Sequence, residues 1–298
     1  MKLLIQPDDG ITPLLRAVKS AKRSIDIVIF RFDRTDLEKA LEAAVARGVN
    51  VRALIAHTNS GGEKILRKLE ARFLASGVTV SRTADDLPRY HGKMMVVDST
   101  LYVFGFNYTK LDIDKSRSFG IVTSDPRLVK EACALFEADN IRQPYAPMHD
   151  RLVVSPETSR AKLTAFIKGA RKQLLIYDEQ VTDNLILRLL EARAKAGLQI
   201  RLIGKIEKPI PGIEVRKLKD MRLHVRAMVR DGSLAFVGSQ SLRKIELDRR
   251  REVGVLIADA RVIKKIQSVF EADWEHSVVS KEAAPLVDKD PPKIEKAS

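Results

Sequence analysis

The amino-acid sequence predicts an α/β protein of two tandem, pseudo-symmetric domains, each built on a mixed, mostly parallel sheet flanked by helices. Three observations indicate this fold: strand and helix patterns alternate, the two halves align with each other, and each half contains one histidine motif of the same layout. The predicted divisions are a first domain at 1–140, a linker at 141–151, a second domain at 152–280 and a disordered tail at 281–298.

The alignment of the two halves follows a constant offset. Gly48 corresponds to Gly197, and this offset of 149 residues holds from the first strand to the third. Beyond the histidine motifs the offset is 134, where residues 124–139 match residues 258–273 and both segments end in Glu-Ala-Asp. A period this long is typical of a duplicated domain and far exceeds that of a solenoid repeat.

Each half has the same predicted order of strands and helices. Strand, helix, strand, helix and strand are followed by another strand, the motif hairpin, a further strand and a closing helix. In the first half the strands are predicted at 2–6, 24–30, 51–56, 78–83 and 119–124, with helices at 12–21 and 35–48. In the second half the strands are predicted at 151–155, 173–177, 200–204, 213–218 and 253–258, with helices at 161–170 and 182–197. Only the first half has an additional predicted helix, at 62–77, and a proline-rich loop takes its place within 206–223.

Residues at the helix ends agree with these assignments. Thr35 and Thr182 are predicted to be N-caps, since each is followed by an acidic residue at the start of a periodic apolar pattern. Gly48 and Gly197 are predicted to follow the C-termini of the same helices, where glycine is favoured.

Composition restricts the class of protein. Hydrophobic residues make up 45% of the chain, which is typical of a folded globular protein. Cys133 is the single cysteine, so an intramolecular disulfide is excluded, and its apolar helical context predicts a buried, unreactive thiol. No apolar run reaches the roughly 18 residues that a membrane-spanning helix needs, and the N-terminus lacks a signal-peptide pattern. These features predict a soluble, cytoplasmic protein.

The formal net charge of +14 indicates a surface that attracts polyanions, either nucleic acid or anionic lipid headgroups. An ordinary surface of solvated lysine and arginine explains the same charge, because many of these residues occupy exposed helix positions. Aromatic residues make up only 5% of the chain, and no basic stripe contains the interleaved aromatic residues that stack on single-stranded bases. Charge alone therefore leaves both kinds of partner open.

The segment 91–107 carries the first candidate site, which consists of His91, Lys93, Asp98, Gly105 and Asn107. His91 and Lys93 are two residues apart, so in an extended strand their side chains share one face. The apolar strand that follows and a hairpin turn at Asp98 bring the last two residues of the segment back to the same end. A histidine beside a permanent cation suits an anionic, phosphate-like group.

A second copy of this layout strengthens the argument. Residues 224–241 contain His224, Arg226, Asp231, Gly238, Ser239 and Ser241 in the corresponding order. Two histidines, each beside a cation, can serve as nucleophile and general acid at one phosphodiester. Asp98 and Asp231 lie at the hairpin turns, where we expect a structural, salt-bridging role and no proton transfer.

Other chemistry-bearing residues do not form a pattern. His57, His149 and His276 have no partner at a useful spacing. No cluster has zinc or EF-hand spacing, and the glycine pair at 61–62 lacks the lysine and serine of a P-loop. The sequence therefore predicts neither a metal nor another cofactor.

The two motifs resemble those of the phospholipase D superfamily, whose HxKx4D signature occurs twice in its two-domain members. The matching residues are His91, Lys93 and Asp98 in the first half and His224 and Asp231 in the second, where Arg226 and Ser241 replace the lysine and the asparagine. The resemblance covers nearly the whole chain and implies one active site at the interface of two similar domains. The residues it implies for phosphate binding are Lys93, Asn107, Arg226, Ser239 and Ser241, with Gly105 and Gly238 in structural roles at the site.

The resemblance also implies the roles of the two histidines. One becomes a phosphohistidine and the other protonates the leaving alcohol, while a carboxylate about twenty residues beyond each motif aspartate orients the histidine of the opposite half. Glu252 has this position in the second half, whereas the first half has Ser118. We therefore expect His91 to be the nucleophile, oriented by Glu252, and His224 to be the general acid.

The leading interpretation is a phospholipase D-like phosphodiesterase or phosphatidyl transferase that acts on phospholipid, without a metal and as a monomer with both motifs in one chain. Peripheral contact with an anionic membrane is expected for such a substrate. The first alternative is a metal-independent endonuclease of the same superfamily, which the positive charge favours. The second is a catalytically inactive protein that binds nucleic acid or anionic headgroups, which Arg226, Ser241 and Ser118 favour.

Overall fold

The structure is a computed structural model that describes residues 1–59 and 62–279. It contains two mixed sheets flanked by helices, one in each half of the chain, which confirms the predicted α/β fold with two tandem domains. The tail predicted at 281–298 lies outside the described residues.

The first domain has the motif hairpin at the centre of its sheet. Its elements are β1 (Lys2–Gln6), α1 (Thr12–Ser20), β2 (Ser24–Ile29), α2 (Thr35–Ala46), β3 (Asn50–Ile55), α3 (Glu63–Ala75), β4 (Thr79–Arg82), β5 (Met94–Val97), β6 (Thr100–Phe104), α4 (Lys110–Lys115), β7 (Ser116–Thr123) and α5 (Pro126–Asn140). The strand order is β1-β7-β6-β5-β2-β3-β4, so the hairpin of β5 and β6 lies between the parallel strands and the β1 edge.

The second domain repeats this arrangement. Its elements are β8 (Leu152–Ser155), α6 (Ser159–Lys168), β9 (Gln173–Val181), α7 (Asn184–Lys195), β10 (Gln199–Ile206), β11 (Ile213–Leu218), β12 (Arg222–Leu223), β13 (Arg226–Arg230), β14 (Leu234–Gly238), α8 (Lys244–Asp248), β15 (Glu252–Ile257), α9 (Ala260–Glu275) and β16 (Ser277–Val279). The strand order is β16-β11-β10-β9-β13-β14-β15-β8, with β16 added at one edge. The helix predicted only in the first half is α3, and the connection from β10 to β11 has no counterpart to it.

Parallel pairing accounts for less of each sheet than the sequence predicted. The strands β2, β3 and β4 pair in parallel, as do β9, β10 and β11, whereas the other neighbours along each described sheet are antiparallel. The reason is that β1 and β8 do not lie beside the strands that follow them in the chain. Since the motif hairpin and β7 or β15 separate them, the first strand–helix–strand crossover of each half creates no parallel pair.

The predicted helix caps were partly wrong. Thr35 is the first residue of α2, after Arg34, and the N-cap of α7 is Asp183, whose carboxylate accepts hydrogen bonds from the next turn. In α7 it is Asp183, and not the predicted Thr182, that accepts from the amides of Leu185 and Ile186, so the N-cap lies one residue later than predicted. The prediction for the other end is confirmed, since Gly48 and Gly197 have φ values of 86° and 85°.

Buried apolar side chains form three clusters. One joins the first sheet to α1, α2 and α3, and a second joins the other sheet to α6 and α7. The third includes residues of both sheets together with α5 and α9. At its centre the ring of Tyr177 contacts those of Phe119 and Phe270, with centroids 5.5 Å and 5.0 Å apart. The interface between the domains is thus itself a hydrophobic core, which fixes one domain against the other.

The motif aspartates connect each hairpin to the strand beside it. Asp98 and Asp231 lie in the turns, both with a φ of 52°. The Asp98 carboxylate accepts hydrogen bonds from the backbone amides of residues 22–24, at 2.8 to 3.0 Å, and Asp231 accepts equivalent bonds from residues 171–173. The partners are therefore backbone amides at the starts of β2 and β9, and no salt bridge to either carboxylate occurs within the described part of the chain.

Residues 141–151 connect the two domains without helix or strand. This segment is attached to α5, because Glu131 accepts hydrogen bonds from the Tyr145 hydroxyl and from the Met148 amide. Cys133, on the same helix, was predicted to be buried, but the structure shows it half-buried. Burial nevertheless raises the pKa of its thiol, which disfavours the reactive thiolate.

We expect Asp98→Ala to lower the free energy of unfolding by about 1–3 kcal/mol, because three backbone amides at the start of β2 lose their acceptor. Urea denaturation followed by circular dichroism measures this change. The matched control is Asp85→Ala, which removes an exposed carboxylate and is expected to change little. Equal stability of the two variants would contradict the structural role of Asp98.

Candidate active site

Each motif histidine lies against the strand that follows the motif hairpin of the opposite domain, His91 at the start of β15 and His224 at β7. The backbone N–H of His91 donates to the carbonyl oxygen of Arg251 at 2.7 Å, and that of His224 donates to the carbonyl oxygen of Arg117 at 3.0 Å. The amide of Arg251 donates back to Arg89 at 2.9 Å, and β12 pairs in parallel with β7. These reciprocal contacts bring the two motifs to one interface.

The ring of His91 is held by residues of both domains. Its Nδ1 lies 2.9 Å from each carboxylate oxygen of Glu252, in the second domain, and its edge packs against Phe30 at a centroid distance of 4.5 Å. Burial, together with the charges of Lys93 and Arg226, lowers the pKa of His91 well below its usual value. The neutral ring can then donate its Nδ1 proton to Glu252 and present Nε2 as a basic nitrogen.

Lys93 is fully buried beside His91. Its Nζ donates to the backbone carbonyl of His91 at 2.6 Å and lies 5.4 Å from the centre of the Phe30 ring. Burial lowers the pKa of Lys93 to about 7, although the charge of Glu252 partly opposes this effect. An anion bound beside the ammonium group would stabilise its protonated form.

The ring of His224 is bordered by carboxylates on both edges. Its Nδ1 lies 2.6 Å from Oε1 of Glu179, and its Nε2 lies 3.1 Å from Oδ2 of Asp112. Asp112 belongs to the first domain, so this contact also crosses the interface. The guanidinium groups of Arg222 and Arg226 each approach Nδ1 to 3.2 Å. Two carboxylates and two guanidinium groups therefore surround this histidine.

Both carboxylates beside His224 are ionised. Burial raises the pKa of Asp112, but His224 and Asn107 lower it by more, so that it falls well below its usual value. In the same way burial of Glu179 is outweighed by Arg226 and His224, which lower its pKa. A ring between two anionic groups is suited to holding and delivering a proton.

Ser118 contacts the backbone of the opposite histidine, whereas its counterpart Glu252 contacts the ring. Its Oγ donates to the backbone carbonyl of His224 at 2.9 Å, so it supports the main chain of this histidine. No acid occupies position 118 in the sequence, and the motifs did not predict Glu179 and Asp112, which border the ring instead. Glu179 could have been recognised from the sequence. It is an acidic residue after an apolar strand, and Phe30 occupies the equivalent position in the first half.

The residues predicted for phosphate binding differ in their surroundings. Burial opposes the charge of Arg226, but Glu179 and Glu246 raise its pKa above the usual value. The amide groups of Asn107 donate to Asp112, at 2.9 Å from the backbone and 2.7 Å from the side chain. Both side chains are therefore held in place at the interface.

The two serines are engaged by protein groups. The Ser239 hydroxyl lies 3.3 Å from the carbonyl oxygen and 3.1 Å from the amide of Val253. The Ser241 hydroxyl donates to Asp178, whose pKa burial raises to about 7. Both serines thus support the loop at the site, and their hydroxyls already have partners.

Three buried polar atoms of the site lack a hydrogen-bond partner among the described residues. They are Oδ1 of Asn107, Nε2 of His224 and Nε of Arg226. Nε2 of His224 is close to Asp112, but the geometry of that contact is not that of a hydrogen bond. Because buried polar atoms are nearly always paired in folded proteins, these atoms indicate a place for a polar ligand.

Two glycines allow the motif hairpins to meet. A Cβ atom on Gly105 would lie 3.1 Å from the carbonyl oxygen of Gly238, across the domain interface, and 3.2 Å from that of Phe119. A Cβ atom on Gly238 would lie 2.6 Å from the Cα of Gly254. Larger residues at these positions would push the strands that carry the site apart.

Two cavities open beside the site, with Arg222 in the wall of both. The first, here called the lysine cavity, has a volume of about 620 Å³ and is lined by Glu179, Lys205, Lys217, Lys219, Asp220 and Arg222, among others. The second, here called the apolar cavity, has a volume of about 320 Å³ and is lined by Arg31, Phe32, Ile65, Leu66, Leu111 and Asp112, among others. The first cavity therefore has more basic residues in its wall, and the second has more large apolar side chains beside its charged residues.

The remaining histidines lie outside this arrangement. His57 and His276 are exposed, and Nδ1 of His149 accepts a hydrogen bond from the Arg151 amide in the linker. Within residues 1–59 and 62–279 no group of three or more metal-ligating side chains is close enough to hold an ion. In the same ranges no helix is both long enough and apolar enough to cross a membrane.

The buried ammonium group of Lys93 should make stability depend on pH. Its pKa is about 7 in the folded protein and 10.5 in an ordinary setting, so between these values the unfolded chain binds more protons. The free energy of unfolding should therefore rise with pH in this range, by up to about 1.4 kcal/mol per unit. Lys93→Met should be more stable than the wild type at pH 7 and lack this rise.

Urea denaturation at several pH values between 7 and 10 measures these slopes. Lys265→Met, on the exposed face of α9, serves as the control and should keep the slope of the wild type. An identical slope in Lys93→Met would show that Lys93 is not the titrating group.

Comparison with known proteins supports the relationship implied by the motifs. A family model described as cardiolipin synthase, PLD-like domain, matches residues 14–140 and 163–274. Cardiolipin synthase 1 of Bacillus cereus is 22% identical over 341 residues, which cover 93% of this chain and 66% of the synthase. The chain thus spans slightly less than two thirds of the length of this relative.

Solved structures share the fold. A polyphosphate kinase of Porphyromonas gingivalis superposes with a TM-score of 0.78 at 18% identity, over 92% of this chain and 47% of the kinase. A phosphatidylserine synthase of Haemophilus influenzae superposes with a TM-score of 0.73 at 11% identity, over 95% of this chain and 88% of the synthase. Since the family model matches most of both halves, this protein belongs to the phospholipase D superfamily.

Proposed function

We propose that this protein is a phospholipase D-like phosphodiesterase or phosphatidyl transferase that acts on phospholipid through a phosphohistidine at His91. The observation that carries the proposal is the difference between the two histidines. His91 is a neutral ring with Nδ1 on Glu252, whereas His224 is bordered by Glu179 and Asp112. The first environment suits a nucleophile and the second suits a proton donor.

In the first step Nε2 of His91 attacks phosphorus and forms a P–N bond. The bond between phosphorus and the leaving alcohol oxygen breaks, and His224 gives a proton to that oxygen through Nε2, which lies 3.1 Å from Asp112 but has no hydrogen-bond partner among the described residues. Glu252 keeps the Nδ1 proton of His91 in place and balances the positive charge that the ring acquires. It acts as a positioning residue.

In the second step water or another alcohol attacks the phosphohistidine. His224, now neutral, takes the proton of the attacking hydroxyl, and the P–N bond breaks to restore His91. Attack by water gives hydrolysis, and attack by an alcohol gives transfer of the phosphatidyl group. Throughout, Lys93 and Arg226 provide positive charge for the non-bridging oxygens.

The apolar cavity favours a lipid over a nucleic acid. Its wall includes Ile65 and Leu111, which are 60% and 51% exposed, and it borders Asp112 and Arg222 at His224. Exposed apolar side chains next to a polar site suit a substrate with an apolar part. The names of relatives such as cardiolipin synthase 1 agree with this substrate class.

The positions of Glu179 and Asp112 count against a catalytically inactive protein. That alternative rested on Ser118 in place of an acid, on Arg226 and on Ser241. His224 nevertheless has two carboxylates at its ring, and Arg226 keeps both a buried positive charge and an unpaired Nε among the described residues. These features retain the groups that the reaction needs.

We expect a covalent phospho-adduct to form on His91. When substrate is mixed with enzyme and the reaction is stopped rapidly, mass spectrometry should locate the phosphoryl group on His91, and His91→Asn should form none. His224→Asn should accumulate the adduct from bis-p-nitrophenyl phosphate, because its good leaving group needs no proton. Phosphate on His224 of the wild type would reverse the assignment.

The substrate range is tested in the same preparation. Turnover of phosphatidylglycerol vesicles, with no cleavage of single- or double-stranded DNA, is the expected result. Cleavage of DNA without turnover of lipid would instead identify an endonuclease. Turnover of neither lipid nor bis-p-nitrophenyl phosphate would contradict the proposed enzyme.

Glu179→Gln should reduce turnover most for substrates with poor leaving groups. The change removes an anionic partner of His224, so protonation of an alkyl alcohol should slow by roughly 10²-fold, whereas release of p-nitrophenolate should change little. Steady-state kcat for phosphatidylglycerol and for bis-p-nitrophenyl phosphate gives the two values. Glu207→Gln is the control, since this residue is exposed and its backbone amide donates to Val181 in the strand that carries Glu179. An equal loss on both substrates would indicate a structural role only.

A further inference from the structure

The lysine cavity lies on the His224 side of the site. Its wall includes Glu179, whose carboxylate holds Nδ1 of His224, and Arg222, which approaches the same nitrogen to 3.2 Å. The equivalent position in the first domain, Phe30, packs on His91. The lysine cavity therefore adjoins the Nδ1 edge of His224, the histidine to which the proposed function assigns proton transfer to the alcohol, whereas Asp112, beside Nε2, lines the apolar cavity.

The cavity has an excess of positive charge. Lys205, Lys217 and Lys219 line it and are exposed, and none of the three forms an ion pair with any residue in 1–59 or 62–279. Of the two acidic residues in its wall, Glu179 forms ion pairs with His224 and Arg226. Three ammonium groups around one recess create a positive potential that a bound anion would neutralise.

The size of the cavity allows a polyatomic anion and its attached chain. A volume of about 620 Å³ is within the usual range for small-molecule sites. The apolar cavity shares Arg222 with the lysine cavity, has no lysine in its described lining and includes Arg31, the residue that follows Phe30 in the chain. The two cavities thus differ in their basic residues, because three lysines and Arg222 line the lysine cavity, whereas Arg31 and Arg222 line the apolar cavity beside Ile65, Leu66 and Leu111.

We propose that the lysine cavity is a subsite for a second phosphate group, carried by the alcohol that leaves from, or attacks at, the scissile phosphate. This inference rests on the proposed function, since it places the alcohol beside His224. A substrate whose alcohol half bears a phosphate would then be preferred over one whose alcohol half is neutral. Lys205, Lys217 and Lys219 are the residues that make this distinction.

Two water-soluble compounds test the subsite without a membrane. Bis(glycerophospho)glycerol contains two phosphates, and glycerophosphoglycerol contains one. Isothermal titration calorimetry with full-length His91→Asn, which does not turn over, should show roughly tenfold tighter binding of the first compound. Adding Lys217→Ala and Lys219→Ala should abolish this preference and leave binding of the second compound unchanged.

A matched control removes the same charge elsewhere. Lys264→Ala with Lys265→Ala, on the exposed face of α9, should keep the tenfold preference. Equal binding of the two compounds to His91→Asn would overturn the inference. The same would follow if the control pair lost the preference for the two-phosphate compound as completely as the cavity pair. Lys205→Ala provides a second variant in the cavity and should weaken the preference as well.

Turnover separates this inference from the proposed function. In an otherwise wild-type chain, the Lys217→Ala and Lys219→Ala pair should keep kcat/KM for bis-p-nitrophenyl phosphate and lower the ratio of cardiolipin to phosphatidylglycerol turnover by about tenfold. Normal turnover with an unchanged ratio would refute the subsite alone. Absence of any phosphodiester turnover by the wild type would refute the proposed function, while the calorimetric result would still decide whether the second phosphate binds.

Discussion

Two backbone hydrogen bonds that cross between the domains determine the geometry of the whole site. The amides of His91 and His224 each donate to the other domain, to the carbonyl oxygen of Arg251 at the start of β15 and to that of Arg117 in β7. The next residue along each strand then faces the opposite histidine, which is why Glu252 reaches the His91 ring and Ser118 reaches the His224 main chain. A shift of one residue in this pairing would turn the facing side chains to the other face of the strand.

This common frame supports two different chemical environments. Equivalent strand ends carry Phe30 and Glu179, so one histidine packs on an aromatic ring and the other on a carboxylate. The loops after the hairpins are alike, because Asp112 and Glu246 accept from the amides of Asn107 and Ser241 at 2.9 Å and 2.7 Å. The duplication thus preserved the backbone and the loop supports, whereas the residues at the rings diverged.

The sequence predicted the two-domain α/β architecture and one pair of residues at the site. Constant offsets and the repeated motif predicted two similar domains, and the family resemblance, applied to Glu252, implied the contact with His91 that the structure shows across the interface. Glu179 and Asp112 were missed because they come from different elements whose proximity depends on tertiary packing, as does the two-residue strand β12. The share of parallel pairing was overestimated for a physical reason. A strand–helix–strand crossover predicts the handedness of the connection and the layer of the helix, but it does not show whether other strands lie between the two strands. Here the motif hairpin lies between them in each assembled sheet.

The difference between positions 30 and 179 has an evolutionary consequence. In an assembly of two identical subunits, any substitution beside one histidine appears beside the other, so the two rings cannot be specialised separately. Joining the two copies in one chain removes this coupling, and each ring can be selected for a single task. If the proposed reaction takes place, the sequence then assigns each histidine its step, and the assignment does not depend on which of two equivalent rings meets the substrate first.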